Sequence, residues 1–222
     1  MDDTLINESE FALSAFKEIS VYLSSSLKKS PEILYDLIVE IYKNQPSKVF
    51  NQLYDQLKVD LSKSKLLEII RIYRGHIPTN YGLDPFTTRW IQLFRNKGVN
   101  LGIITDGYQI TQKNKIKQAK LSQYFDAIII TDELGREFWK PHVKSFLMIQ
   151  EKFNLSFDEM IYVGDNLEKD FQAPKQLGMK FIHFCNPYPM NIYNRNQSSM
   201  LEDIDSFSDR SKLFNKLLEL II

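Results

Sequence analysis

The chain has 222 residues, a length that fits one large domain or a core with a smaller insert. Lysine and arginine total 28, as do aspartate and glutamate, so the formal net charge is zero and no global field favours nucleic acid or an anionic membrane. Apolar residues make up 43% of the chain and aromatic residues 13%, which excludes a disordered tail and provides for a sizeable core.

The cysteine content and the apolar runs bear on the compartment. The single cysteine, Cys185, excludes a disulfide within the chain and favours a reducing environment. No apolar run approaches the roughly 18–20 residues of a membrane span. The stretch from Met1 to Ile6 has neither the basic nor the apolar region of a signal peptide. We therefore expect a soluble cytoplasmic protein that binds neither membrane nor nucleic acid.

The first third of the chain has a helical pattern. Apolar residues recur at helical spacing from about Asn7 to His76, and almost no glycine interrupts them. Asn7 or Ser9 can cap the first helix, and Pro31 suits the first turn of the second. Four helices without a strand pattern predict a small bundle over residues 9–79. The predicted helices are one that contains Phe11–Leu23, one that runs from Pro31 past Ile41, Pro46–Leu57 and Leu61–Tyr73.

After Ile77-Pro78, short apolar runs alternate with amphipathic helices. This alternation predicts the α/β class, a Rossmann-like parallel sheet with helices on both faces, formed by residues 1–8 and 80–222. Gly98 follows the first helix as a C-cap glycine would. The predicted strands are Val99–Thr105, Ala127–Thr131, Met160–Val163 and Lys180–Cys185. The predicted helices are Asp84–Lys97, Gln109–Ala119, His142–Phe153, Leu167–Leu177 and Asp209–Leu220.

Four short polar stretches are candidates for a functional site. They are Asp2-Asp3-Thr4-Leu5, Thr105-Asp106-Gly107, Lys140-Pro141, and Gly164-Asp165 with Asp170. Ligands of open α/β sheets bind beyond the carboxyl ends of the strands, so these stretches can converge on one crevice. Each alone has a structural explanation, because a carboxylate after a strand is often an N-cap and Thr-Asp-Gly is a common turn. Their order and spacing together favour a function.

Taken together, the stretches resemble the haloacid dehalogenase-like (HAD) hydrolase superfamily over nearly the whole chain. The first motif of that family reads Asp-x-Asp-Gly/Asp-Thr-Leu, and Asp2-Asp3-Thr4-Leu5 matches its last four positions. The helical insert resembles the C1-type cap of the family, and Asp106-Gly107 is typical of its phosphatase branch. The other three motifs are matched by Thr105, by Lys140, and by Gly164-Asp165 with Asp170.

The resemblance implies a magnesium-dependent phosphatase that hydrolyses a small phosphorylated metabolite through an aspartyl-phosphate. Asp2 would protonate the leaving oxygen, then activate water, and would offer its backbone carbonyl to Mg²⁺. Asp165 would be a direct ligand of Mg²⁺, and Asp170 a direct or water-mediated one.

The resemblance also implies a phosphate-binding set. The Thr105 hydroxyl and the backbone amides of Asp106 and Gly107 would hold phosphoryl oxygens. Lys140 would bind the phosphoryl group too, and would stabilise its negative charge and that of the nucleophile. The catalytic side chains of this chain would then be Asp2, Thr105 and Lys140.

In this alignment the nucleophilic aspartate belongs at the position before Met1, preceded by an apolar strand. We therefore expect the chain as written to be inactive or nearly so, with a gap in the sheet between the strands that end at Thr105 and Val163. Three explanations are open: Met1 is an internal methionine taken as a start, the sequence is trimmed, or the chain is a natural non-catalytic relative. A second register, with Asp2 as the nucleophile and Thr4 two positions on, resembles P-type ATPases but misplaces Thr4-Leu5.

Two other functions fit the same residues: a non-catalytic HAD-like binding or regulatory module, and a phosphomutase. A 2-haloacid dehalogenase is disfavoured because it does not need the acidic metal site that Asp165 and Asp170 suggest. The substrate and the oligomeric state do not follow from the sequence.

Three weaker signals are interpreted as surface features. Lys113, Lys115, Lys117 and Lys120 are expected to form a solvated helix face, because no aromatic residues are interleaved with them. Arg74 and His76 are expected at a solvated helix end. The third signal is a set that follows the last predicted strand and is expected near the entrance of the site: Tyr188, Tyr193 and Asn194.

Overall fold

The computed structural model describes residues 1–187 and 204–221, so Tyr188, Tyr193 and Asn194 lie outside the described residues. The chain forms two compact units, a helical unit (Glu8–Tyr81) and an α/β unit (Met1–Asn7 with Gly82–Ile222). In the described part of the chain, no helix is both long enough and apolar enough to cross a membrane.

The helical unit contains the four predicted helices. Ser30 caps the second helix and Ser62 the fourth, because each hydroxyl accepts a hydrogen bond from a backbone amide of the first turn. The helices are α1 (Glu8–Leu27), α2 (Pro31–Asn44), α3 (Val49–Leu57) and α4 (Lys63–Gly75). Their apolar stripes meet in one core, to which the helices contribute, in order, the buried side chains Phe16, Leu34, Leu53 and Ile69.

The interpretation of His76 as part of a solvated helix end is wrong. His76 follows α4 directly and is only 8% exposed. Its Nδ1 lies 2.5 Å from Glu18 Oε2 and its Nε2 lies 2.8 Å from Ser14 Oγ, so the imidazole joins the end of α4 to α1. These partners are 58 and 62 residues away, and no local pattern in the sequence could reveal them.

The α/β unit has strands and helices in the predicted order. The strands are β1 (Gly102–Thr105), β2 (Ala127–Ile130), β3 (Ile161–Gly164), β4 (Lys180–Phe184) and β5 (Asp205–Phe207). The helices are α5 (Pro85–Asn96), α6 (Gln109–Gln118), α7 (Lys144–Phe153), α8 (Leu167–Asp170), α9 (Gln172–Leu177) and α10 (Arg210–Leu220). The four predicted strands are confirmed, with shifts of one to three residues at their ends.

Two details of this unit differ from the prediction. The helix predicted over Leu167–Leu177 is broken into α8 and α9. Pro174 lies four residues after Asp170 and cannot donate to its carbonyl, so one helical hydrogen bond is lost across the break. The strand β5 is not among the predicted strands. It has three residues, of which only Phe207 is apolar, and so short a segment shows no alternation of apolar and polar residues.

All pairings between the described strands are parallel, as the buried apolar runs predict. β1 pairs with β2, and β3 pairs with β4, which in turn pairs with β5. Among the described strands no ladder joins β1 to β3, so the sheet consists of two ladders rather than one. The gap that the sequence predicts between β1 and β3 stays a prediction.

Helices cover both faces of the strands. Along β3, Tyr162 packs against the buried cluster of α7 and α9, which includes Phe146 and Ala173. Its neighbours Ile161 and Val163 pack against the other cluster, which contains Phe94 of α5 and Phe214 of α10. This alternation is the period of two of a strand that is buried on both faces. Ile104 of β1 belongs to the α7 cluster as well, so the two ladders share a core.

Candidate active site

The N-terminal motif is a compact turn. Leu5 N donates to Met1 O at 2.9 Å, and Asp3 N donates to Ile6 O at 2.7 Å. Asp3 has a φ of 52°, in the left-handed region that aspartate tolerates better than most side chains. Asn186 Nδ2 donates to Asp3 Oδ1 at 3.0 Å and thereby ties the turn to the segment that follows β4.

The carboxylate of Asp2 is held by two donors from α6. Lys115 Nζ lies 3.0 Å from Asp2 Oδ1, and Gln112 Nε2 lies 2.9 Å from Asp2 Oδ2. Burial alone would raise the pKa of Asp2, but the charge of Lys115 and these hydrogen bonds outweigh it, so the pKa falls below its ordinary value. Asp2 is therefore ionised in these surroundings, and it would take up a proton only when a bound ligand changes them.

The prediction of a fully solvated basic face on this helix is wrong at Lys115, which is only 1% exposed. Its neighbour Lys113 is at the surface and pairs with Glu133 at 2.8 Å. Residues two positions apart on an α-helix point about 200° apart, so Lys115 faces away from both Lys113 and Lys117. This spacing is the signal in the sequence that could have separated Lys115 from the others.

The second motif is anchored at Asp106, directly after β1. Asp106 Oδ1 accepts hydrogen bonds from Thr131 Oγ1 at 2.7 Å and from the backbone N of Lys140 at 3.1 Å. Thr131 Oγ1 also lies 3.3 Å from the carbonyl oxygen of Thr105. The residue Thr105 is almost completely buried. The Thr-Asp-Gly turn is thereby attached to the segment that carries the third motif.

Gly107 allows the side chain of Gln112 to pass close to this turn. The glycine has a φ of +127°, and a Cβ on it would lie 2.6 Å from Gln112 Nε2. The same Nε2 donates to the carbonyl oxygen of Asp106 at 2.6 Å as well as to Asp2. Gln112 thus links the first motif to the second, a role that the sequence analysis missed.

The third and fourth motifs meet in a buried ion pair. Lys140 Nζ lies 2.6 Å from Asp170 Oδ1 and 3.3 Å from the hydroxyl of Tyr162. Burial alone would lower the pKa of Lys140, but Tyr162 and the carboxylates of Asp170 and Asp106 raise it well above its ordinary value. Burial likewise favours protonation of Asp170, yet Lys140 holds the pKa of Asp170 below its ordinary value.

Asp165 has a different environment from Asp170. Thr4 Oγ1 donates to Asp165 Oδ1 at 3.0 Å, which joins the first motif to the fourth. His183 Nε2 lies 3.0 Å from the carbonyl oxygen of Asp165, and this acceptor identifies Nε2 as the protonated ring nitrogen. Burial, followed by the negative charges of Asp170 and Asp3, raises the pKa of Asp165 to about 7.

The predicted site residues therefore come together. Hydrogen bonds join Thr4 to Asp165, Lys140 to both Asp106 and Asp170, and Asp106 to Asp2 through Gln112. The α-amino group of Met1 is buried close enough to Lys140, Asp165 and Asp170 for its charge to interact with theirs, and burial lowers its pKa.

The carboxylates of Asp165 and Asp170 and the backbone carbonyl of Asp2 offer oxygen atoms, the ligands that a hard cation such as Mg²⁺ prefers. Burial, followed by the charge of Asp170, raises the pKa of Asp165, and a bound cation would offset both effects. Within the described residues, no three side chains of His, Cys, Asp or Glu are grouped to hold a metal. Magnesium sites in proteins typically use one or two carboxylates, and water and phosphate oxygens complete them.

Comparisons with known proteins agree with these motifs. The chain is 28% identical to the glyceraldehyde 3-phosphate phosphatase of Methanocaldococcus jannaschii over 225 aligned residues, which cover all of this chain and 92% of that relative. It is 27% identical to the pyrophosphatase PpaX of Bacillus mycoides, over 82% of this chain and 79% of that relative.

Solved structures show the same fold. A HAD phosphatase from Thermococcus onnurineus aligns with a TM-score of 0.59 at 23% identity, over 98% of this chain and 94% of its own. A 2-haloacid dehalogenase from Pseudomonas syringae aligns with a TM-score of 0.58 at 19% identity, over 99% of this chain and 96% of its own. Sequence comparison matches residues 1–184 to the family described as haloacid dehalogenase-like hydrolase. The chain belongs to the haloacid dehalogenase-like hydrolase family.

Proposed function

We propose that this α/β unit carries the site of a magnesium-dependent phosphatase that hydrolyses a small phosphorylated metabolite through an aspartyl-phosphate. The observation that carries the proposal is the hydrogen-bonded convergence of all four motifs around the buried pair of Lys140 and Asp170. Relatives named as phosphatases of glyceraldehyde 3-phosphate and as a pyrophosphatase support small phosphorylated compounds as the substrate class. Residues 9–79 would form the cap and residues 1–8 with 80–222 the core.

The residues of this chain would divide the chemistry among them. Thr105 and the backbone amides of Asp106 and Gly107 would bind phosphoryl oxygens, and Lys140 would offset their charge. Asp2 would give a proton to the leaving oxygen and later take one from the attacking water.

Oxygen atoms of the chain would hold the metal. Asp165, Asp170 and the backbone carbonyl of Asp2 would be the ligands of Mg²⁺, which when bound neutralises phosphate charge and aligns the attack. Lys140 and the hydroxyl of Tyr162 donate to Asp170 Oδ1, and the backbone N of Asn166 donates to Oδ2. The carboxylate is thereby fixed, and Oδ2 keeps one lone-pair position for the metal or for a water bound to it.

The nucleophile of this mechanism belongs two positions before Asp2. We propose that this nucleophile is an aspartate joined directly before Met1. The buried α-amino group of Met1 interacts with the charges of Lys140, Asp165 and Asp170. A residue joined there would come close to the same groups, and this supports the assignment.

An N-terminal extension tests the proposal. One variant carries an apolar strand and an aspartate directly before Met1, and its matched control carries asparagine in place of that aspartate. The aspartate variant is expected to hydrolyse p-nitrophenyl phosphate with Mg²⁺ and to lose activity in EDTA. Asp165→Asn in this background is expected to lower kcat/KM by orders of magnitude. Turnover without metal, or equal activity of the two extensions, would contradict the proposal.

The same assay separates the alternatives. A non-catalytic binding module predicts that neither extended variant turns over a phosphate ester. A phosphomutase predicts that the phosphoryl group passes from one sugar phosphate position to another instead of to water, which ³¹P NMR distinguishes from release of inorganic phosphate.

A further inference from the structure

Lys115 is a nearly fully buried lysine that none of the four motifs contains. Lysine is almost never fully buried unless its charge is paired. Its Nζ reaches Asp2 Oδ1 at 3.0 Å, and Gln112, three residues earlier on α6, reaches the other oxygen at 2.9 Å. Residues three apart on a helix share a face, so one turn of α6 presents both donors to one carboxylate.

We propose that Lys115 and Gln112 are positioning residues that orient the Asp2 carboxylate for its two proton transfers. The inference rests on the proposed function, in which Asp2 is the acid and base.

The geometry leaves room for the proton. A carboxylate has about four lone-pair positions, two on each oxygen. Lys115 occupies one position on Oδ1 and Gln112 one on Oδ2, so the plane of the Asp2 carboxylate is fixed while each oxygen keeps a position for a proton. Two acceptors contact Gln112 Nε2, which determines the orientation of the Gln112 amide.

Gln112 also connects Asp2 to the phosphate-binding turn. Its Nε2 donates to the carbonyl oxygen of Asp106 at 2.6 Å, so the proton-transferring carboxylate and the turn before Gly107 are held by one amide. Gln112 Oε1 is buried and has no hydrogen-bond partner among the described residues. The amide is thus oriented by its donors alone, although burying an unsatisfied acceptor is costly.

Both steps use the same carboxyl group. In the first step the nucleophilic carboxylate forms its bond to phosphorus as the P–O bond to the leaving alcohol breaks; the electron pair of that bond stays on the alcohol oxygen, which takes the proton of Asp2. In the second step water forms a new P–O bond and the bond between phosphorus and the aspartyl oxygen breaks, so that its electron pair returns to the nucleophilic carboxylate while a water proton moves to the Asp2 carboxylate. A fixed carboxylate plane keeps Asp2 aligned for both events.

Leaving-group dependence tests this role in the aspartate-extended variant. Lys115→Met and Gln112→Leu are assayed on p-nitrophenyl phosphate, whose leaving group needs little protonation, and on an alkyl phosphate, whose leaving group needs it. The factor by which kcat/KM falls is expected to be at least about tenfold larger on the alkyl ester than on p-nitrophenyl phosphate. Lys113→Met, on the exposed face of the same helix, is the control and should leave both rates unchanged. Equal losses on the two esters would indicate a structural role and overturn the proposal.

A double-mutant cycle on the 222-residue chain tests the contact without any activity. Urea unfolding of Asp2→Asn, Lys115→Met and the double variant should show non-additive effects, because the two residues share one interaction. Additive effects would overturn the inference alone. An aspartate-extended variant that is inactive on both esters would instead overturn the proposed function, and with it the role of Lys115, whatever the cycle shows.

Discussion

Lys140 Nζ and Asp170 Oδ1 lie 2.6 Å apart, with the two side chains only 10% and 2% exposed. The hydroxyl of Tyr162 lies 3.3 Å from each of these atoms. Because burial removes both charges from water, each depends on the other for its stabilisation. This pair therefore contributes to the fold as well as to the candidate site.

Removal of one partner of this pair should be costly. Lys140→Met is expected to lower the free energy of unfolding by about 3–5 kcal/mol, because Asp170 is left as a buried, uncompensated charge. The double variant Lys140→Met, Asp170→Leu should recover part of the loss. Urea unfolding measures both effects. A loss below about 1 kcal/mol for Lys140→Met, the size typical of exposed pairs, would contradict a buried pair.

Gly164 should not tolerate a side chain. A Cβ at Gly164 would lie 2.5 Å from Asp170 Oδ2 and 2.7 Å from Asp170 Cγ, so Gly164→Ala must displace Asp170. We expect a loss of about 1–3 kcal/mol in thermal or urea unfolding. The matched control is Gly75→Ala in α4, where a Cβ would meet nothing within 4 Å and should be neutral or slightly stabilising. Equal stabilities of the two variants would show that the side chain of Asp170 does not lie against Gly164.

The N-cap of α5 should give a pH-dependent contribution. Asp84 accepts hydrogen bonds from Thr87 N at 2.9 Å and Thr87 Oγ1 at 2.6 Å, and Arg210 Nη1 lies 3.5 Å from it. Burial would raise the pKa of Asp84, but these partners lower it below its ordinary value. Asp84→Ala is expected to cost about 1 kcal/mol at pH 7.

The sign of the pH effect follows from that lowered pKa. The stabilisation by ionised Asp84 is complete above the unfolded pKa of about 3.9 and is lost as the pH falls through the lower pKa of the folded state. Urea unfolding of the original chain and of Asp84→Ala, compared at pH 7 and pH 3, should therefore give a smaller difference at pH 3. A difference that grows on acidification would contradict the ionised cap.

The open edges of β1 and β3 should make the 222-residue chain less stable than the aspartate-extended variant. A strand between them would pair exposed backbone groups and bury several apolar side chains, each contributing about 1.5–3 kcal/mol. Thermal unfolding and light scattering are expected to show a higher Tm and less association for the extended chain. An extension with a polar strand is the control. If the 222-residue chain is monomeric and melts within a few degrees of the extended chain, the placement of an additional strand between β1 and β3 is wrong.

Local sequence predicted most of the helices and the type of sheet. Ser30 and Asp84 precede Pro31 and Pro85, and each caps the helix that follows, because capping and proline placement depend only on adjacent residues. The continuous apolar runs predicted parallel strands buried on both faces, and all pairings are parallel. The candidate residues were likewise recognisable, because each lies in a short motif.

Partners distant along the chain were decided by the tertiary structure. The pairing of Lys115 with Asp2 crosses 113 residues, and the pairing of His76 with Glu18 crosses 58. The same holds for the partners of Asp165 and Asp170, both of which the motif assigns to the metal site. The fold brings Lys140 to Asp170 and leaves Asp165 with a pKa of about 7. Burial and Coulomb energy depend on distances in space, which only the packed chain sets.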